Sequence, residues 1–234
     1  MSNDSFKFKQ FTVHQSRCAM KVGTDGTLLG AWANVPSGKA RMLDIGTGTG
    51  LIALMLAQRA PEAVITGIDI DTEAVCQACE NIEVSPFASR IQIVLTDVAD
   101  YEAEPFDVIV SNPPYFVESL TCSDHQRTTA RHTASLTYQT LMWSAFRLLS
   151  DEGRFSVIIP FDCRASLESE ASLAGFFMSR ICGVKTTPRK QPKRYLIEFT
   201  KQPVSELDIS EGIIESLPNT RSEWYQELTK DFYL

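Results

Sequence analysis

Between residues 41 and 160 two kinds of apolar run take turns, and that alternation leaves few folds open. RMLDI (41–45), AVITGIDI (63–70), RIQIVLTD (90–97), FDVIVSN (106–112) and GRFSVIIP (153–160) are short, β-branched and bounded by turn residues, so each predicts a strand. LIALMLAQRA (51–60), TEAVCQACENIEVS (72–85) and SLTYQTLMWSAFRLLS (135–150) predict helices between them. Strands joined through helices line up in parallel by right-handed crossovers, which gives an α/β sheet with helices on both faces.

The flanks read differently. FKFKQFTVH (6–14) alternates aromatic and basic residues with a strand-like period of two. Arg164 to Ala174 predicts a helix, and two β-rich runs follow, FFMSRICGVKT (176–186) and RYLIEFT (194–200). Only TPRKQPK separates them, too little for a crossover helix, so they predict an antiparallel hairpin with a basic loop. From Pro203 the chain is polar and ends in a short amphipathic element around Trp224 to Phe232. Residues 1–40 are read as a segment covering the site, 41–202 as the core and 203–234 as a tail packed on it.

With 44% hydrophobic residues in 234, a sizeable core can form. The six cysteines lack a disulfide-framework spacing, and the amino terminus lacks a basic-then-apolar leader, which points to a reducing cytoplasm. No apolar run approaches the roughly 20 residues of a membrane span. Cys76 and Cys79 sit three apart on a helix with no second ligand pair, so no metal is expected. The net charge of −7 argues only mildly against a nucleic-acid partner, because the cations cluster: Lys185, Arg189, Lys190, Lys193 and Arg194 in one stretch, Arg127, Arg131 and His132 in another.

Two loops carry the chemistry. LDIGTGTGLIAL (43–54) puts Gly46, Gly48 and Gly50 between a strand and a helix, where glycine allows a sharp turn and close approach of a ligand to helix N–H groups. The spacing G-x-G-x-G after Asp44 departs from the dinucleotide pattern G-x-G-x-x-G. Asp69 ends the next strand, where a carboxylate can accept from both ribose hydroxyls of an adenosine cofactor. Asp71 and Glu73 compete with it on register, Asp71 as a helix cap. Asp97 ends the third strand and can accept from an adenine amino group. The second loop is Asn112-Pro113-Pro114-Tyr115, where the prolines must stop the strand and stiffen the loop.

This ordered set at strand ends resembles the class I S-adenosylmethionine-dependent methyltransferases of the amino-methylating group. The resemblance implies a Rossmann-like fold, a seven-stranded, mainly parallel sheet whose last strand is antiparallel. It also implies S-adenosylmethionine over Gly46 to Gly50, its ribose on Asp69 and its adenine by Asp97. An exocyclic amine is a poor nucleophile because its lone pair is conjugated. Acceptors at the Asn112 side chain and the Pro113 carbonyl would hold and polarise it, Pro114 would stiffen the loop and Tyr115 would offer a stacking face. The loop holds no cysteine, which excludes cytosine-carbon methylation.

FKQFTVHQSRCAMKVGTDGTLLGAW (8–32), ARHT (130–133) and LTKDFYL (228–234) are similar to the bacterial tRNA (adenine-N6) methyltransferases that modify a valine tRNA just 3′ of its anticodon. That resemblance implies a tRNA partner, with Lys21, Thr24 and Asp25 near the methionine end of the cofactor. The basic residues Arg127, Arg131, His132, Lys190, Lys193 and Arg194 then become candidates for gripping tRNA, and a monomer is expected. Competing readings are an N6- or N2-amino-methyltransferase of rRNA or DNA, a glutamine N5-methyltransferase, whose usual helical amino-terminal domain is missing here, and an RNA-binding protein on a degenerate methyltransferase fold.

Overall fold

The computed structural model describes residues 4–18, 21–114 and 136–234. An antiparallel hairpin of β1 (Ser5–Lys7) and β2 (Thr12–His14) precedes helix α1 (Thr24–Trp32). The alternating region follows as β3 (Arg41–Ile45), α2 (Leu51–Arg59), β4 (Val64–Asp69), α3 (Thr72–Glu83), β5 (Ile91–Leu95) and β6 (Phe106–Ser111). Next come α4 (Tyr138–Leu148), β7 (Leu149–Pro160), α5 (Arg164–Ala174), β8 (Phe177–Lys185) and β9 (Arg194–Thr200). The tail contributes β10 (Asp208–Ile213), a small hairpin of β11 (Glu215–Leu217) and β12 (Thr220–Arg221), and α6 (Glu223–Thr229).

The central sheet runs β10-β8-β9-β7-β6-β3-β4-β5. Only β9 opposes its neighbours; it pairs antiparallel with both β7 and β8, as the short basic link requires. The sheet has eight strands where seven are expected, because β10 adds itself in parallel beside β8. Its sequence, DISEGI, buries only Gly212 and half-buries Ile213, so no apolar alternation announces it. A further difference lies at β7, which begins at Leu149 and reaches register with β6 across an irregularity between Phe106 and Val108.

Alternation along each strand feeds two cores. On β3, Met42 packs with α1, α2 and the amino-terminal aromatics Phe8 and Phe11, whereas Leu43 packs with α4 and α5 on the opposite face. Helix ends inside this packing need partners for their carbonyls. Arg59 donates to the carbonyls of Gly30 and Ala33 at the end of α1, and Arg90 to those of Ala57, Ala60 and Ala63 at and beyond the end of α2. Burial, with Arg180 nearby, brings the Arg59 guanidinium down to about 10. Asp71 caps α3 by accepting from the Glu73 N–H at 2.9 Å.

Candidate active site

From β3 the chain moves outward through β4 and β5, then returns to place β6 on the other side of β3. That reversal is where open α/β sheets bind ligands, beyond the carboxyl ends of the strands. The paired residues Ile45 with Ile68, Asp69 with Leu95, and Ile45 with Ser111 bring four strand ends to one edge. Gly46, Asp69, Asp97 and Asn112 therefore meet although 66 positions separate the first from the last.

The glycine loop turns with φ of +72° at Gly46, +55° at Gly48 and +79° at Gly50. A Cβ on Gly46 or Gly48 would point into open space, which leaves the backbone bare toward a ligand. Gly50 has a different duty. It starts α2, and a Cβ there would meet Ala78 and Ile82 of α3 at 3.4 to 3.6 Å.

Two carboxylates brace the loop from behind and beside. Asp44, fully buried, accepts from the Thr47 hydroxyl at 2.7 Å and the Ala53 N–H at 3.2 Å, while its Oδ1 has no partner. Burial pushes its carboxyl up to about 7, against the pull of those two donors and with Asp69 adding to the rise. Asp69 accepts from the Gly48 N–H at 2.9 Å and from the Asp71 N–H at 3.0 Å. On the far side Asn81, also buried, accepts from the His14 N–H and donates to the carbonyls of His14 and Thr49, tying β2 to the loop.

A cavity of about 370 Å³ lies over these elements, within the range of small-ligand sites. Gly46, Gly48, Asp69, Asp97, Asn112 and Pro114 line it together with Asp71, the neighbour that competes with Asp69 on register, and Ile45, Ile68, Ile70, Val98, Leu136, Thr140 and Cys18 belong to its largely apolar wall. Asp97 accepts from the Ala99 N–H at 2.9 Å. The Ser111 hydroxyl donates to the Ile45 carbonyl at 2.9 Å, fixing the end of β6 against β3 just before Asn112. Pro113 is buried and Pro114 exposed. Arg147 of α4 reaches across to donate to the carbonyls of Val98, Ala99 and Tyr101, which holds the wall beyond Asp97.

Asp44 and Gly50 lie behind the cavity wall rather than on it. Lys21, Thr24 and Asp25 do not line it either. Thr24 faces a second cavity, and Asp25 pairs with Arg194 at 2.8 Å, so one expected cofactor contact engages one expected tRNA contact. Lys190 and Lys193 are exposed on the β8–β9 loop. Tyr115, Arg127, Arg131 and His132 lie outside the described residues. Sequence reasoning did not find Cys18, Ile70, Val98, Leu136, Thr140 or Arg147. Ile70 alone carried a signal, an apolar residue directly after the strand-ending Asp69, and the structure leaves it 43% exposed. Burial, with Asp69 and Asp71 adding, raises the Cys18 thiol to about 11, which disfavours its thiolate.

A bare glycine turn and acidic strand ends, Asp69 and Asp97, over apolar walls suit a nucleoside-bearing cation. Together with the sheet order they define a class I S-adenosylmethionine-dependent methyltransferase. Residues 23–178 match the family described as methyltransferase small domain. A tRNA1(Val) (adenine(37)-N6)-methyltransferase from Bacteroides thetaiotaomicron is 50% identical, over 100% of this chain and 99% of its own length. Its counterpart from Phocaeicola vulgatus is 51% identical over the same shares. One from Mannheimia succiniciproducens is 43% identical over 98% and 94%. The chain belongs to this tRNA1(Val) (adenine(37)-N6)-methyltransferase family within the methyltransferase small domain family. Solved structures agree on the fold: a predicted O-methyltransferase from Agrobacterium tumefaciens superposes with a TM-score of 0.70 at 19% identity, covering 89% of this chain and 96% of that one. The Thermus thermophilus protein TrmN superposes at 0.54 with 22% identity, over 76% and 48%.

Proposed function

We infer that this chain transfers a methyl group from S-adenosylmethionine to the exocyclic N6 of the adenine at position 37 of tRNA1(Val), the reaction its half-identical, full-length relatives are named for. The observation that carries the reading is the meeting of the glycine loop, Asp69 and Asn112 on one cavity. Gly46, Gly48, Asp69 and Asp97 would hold the cofactor, with Asp44 and Gly50 acting through the shape of the loop. When bound, S-adenosylmethionine supplies an electrophilic methyl group on a sulfonium.

The remaining work falls to the protein. The adenine N6 lone pair is delocalised into the ring, so the residues at the end of β6 must orient and polarise it. The Asn112 side-chain oxygen and the Pro113 carbonyl accept its two N–H bonds, and they stabilise the positive charge that grows on nitrogen as it is alkylated. Both acceptors sit on a backbone stiffened by two prolines and pinned through Ser111, so little reorganisation is needed at the moment of reaction. The surplus proton passes to solvent. Tyr115 stacks on the base. The cations Arg127, Arg131, His132, Lys190 and Lys193 contribute to the surface that meets tRNA.

No helix among the described residues is long and apolar enough to cross a membrane. We place the protein in the cytoplasm as a monomer, with residues 1–40 covering the site and 203–234 bracing the core. The reading is tested by incubating the purified chain with radiolabelled S-adenosylmethionine and total tRNA from a strain lacking the activity, then digesting to nucleosides. Label in N6-methyladenosine from one valine tRNA is the expected result. Label in protein, DNA or another nucleoside would overturn the substrate.

A further inference from the structure

The second cavity, about 710 Å³, lies where the two ends of the chain meet the start of α1. Gly23 and Thr24, Lys9 from the amino-terminal segment, and Arg221, Lys230 and Tyr233 from the tail all line it. No Asp or Glu is among its lining residues, in a protein whose net charge is −7. Three features of this lining point to an anionic, planar ligand.

The cations are within reach of solvent and only lightly engaged. Arg221 is half exposed and lies 3.5 Å from Glu215, the Lys230 ammonium pairs with Glu227 outside the lining, and the Lys9 ammonium donates to the Lys230 carbonyl. Exposed pairs of this kind are worth little, so a phosphate can compete for the cations. The nine-residue helix α1 begins just after Gly23, which brings no side-chain cap, and Gly23 and Thr24 face the same space, while the first-turn Asp25 is engaged by Arg194 outside the lining. The third feature is aromatic. The half-buried Tyr233 stands among Phe6, Phe8 and Tyr225 with ring centroids 5.8 to 6.2 Å apart, roughly parallel to Phe8 and Tyr225, and this aromatic cluster lines the cavity through Phe6, Tyr225 and Tyr233.

We propose that this cavity binds a nucleotide of the tRNA other than the methylated adenosine, its phosphate against Lys9, Arg221 and the start of α1 and its base against Tyr233. The inference rests on the tRNA reading above and gives it a second contact. Cys18 lines the first cavity and Val22 the second, and four residues of chain span at most about 14 Å. The walls of the two cavities are therefore neighbours at this segment. Cations on phosphates and bases on aromatic faces are how single-stranded nucleic acid is held without sequence readout.

The test is the affinity of a tRNA1(Val) transcript for wild type and for the double variant Lys9→Gln/Arg221→Ala, measured at several salt concentrations. The inference expects a dissociation constant raised about tenfold and a salt slope smaller by about two. Affinity for S-adenosylmethionine and kcat at saturating tRNA should stay as in wild type. Arg221→Lys keeps the charge and should bind tRNA within about twofold of wild type. If wild type methylates tRNA while the double variant binds it with unchanged affinity and slope, this inference falls and the catalytic reading stands. A folded Arg221→Lys as weak as the double variant would also overturn it, because the role would then be packing on Tyr225. A wild type that methylates no RNA overturns the functional reading, and the inference with it.

Discussion

Two cavities of the molecule are built on opposite plans. The first sits on strand ends, where register places each residue and buried hydrogen bonds hold it: Asp44 under the loop, Asp69 on the Gly48 N–H, Ser111 on the Ile45 carbonyl. The second is assembled from the two ends of the chain, Lys9 and Lys230 meeting across 221 positions, with exposed cations around an aromatic floor. Chemistry that must place an atom to a fraction of an ångström belongs on the first kind of scaffold. A surface that grips a flexible polyanion can tolerate the second.

That contrast predicts a graded series. Asp69→Ala removes a carboxylate that accepts two backbone N–H bonds at the cavity wall, and bonds to charged groups are worth about 1.5 to 3 kcal/mol. S-adenosylmethionine should bind roughly 10- to 100-fold more weakly by calorimetry, with tRNA affinity unchanged. Gly48→Ala forces a Cβ onto a backbone at φ +55°, a strain of about 1 to 2 kcal/mol, and puts a methyl where the ligand approaches. It should lower both the melting temperature and cofactor affinity.

Asp44 makes a prediction about pH. Its folded pKa, raised from 3.8 to about 7, means that the folded protein binds the proton more tightly than the unfolded chain. The stability from that proton is fully present below pH 3.8 and is lost as pH rises through about 7. Asp44→Asn should therefore flatten the decline of denaturant-derived stability across that window, and its advantage over wild type should grow toward pH 8. The smallest effect belongs to Arg147→Ala, which frees the carbonyls of Val98, Ala99 and Tyr101. It should raise the KM for S-adenosylmethionine a few-fold while leaving kcat alone.

The same contrast explains what the sequence made legible. The first cavity is readable because Gly46, Asp69, Asp97 and Asn112 each stand at or just beyond the end of an apolar run, where local pattern and sheet topology suffice. Its apolar wall is less so. Val98, Leu136 and Thr140 follow no pattern that separates a wall from an ordinary core residue or turn, and Arg147 acts through space from another helix. The segment from Lys21 to Asp25 is the clearest divergence: resemblance sends it toward the cofactor, whereas folding turns Thr24 to the second cavity and Asp25 onto Arg194. β10 stayed hidden because an edge strand with solvent on most side chains needs no apolar alternation. The second cavity has no sequence signature at all, since its parts are brought together only by tertiary structure.

The central claim is that Asn112 activates an exocyclic amine rather than helping to hold the cofactor. The most direct measurement is the single-turnover rate of methyl transfer by Asn112→Ala, made with the S-adenosylmethionine dissociation constant on the same preparation. Removing a preorganised acceptor used in the transition state should slow transfer by roughly 100- to 1,000-fold and leave that constant within about twofold of wild type. An unchanged rate, or a loss of cofactor binding that accounts for the whole decline, would contradict it.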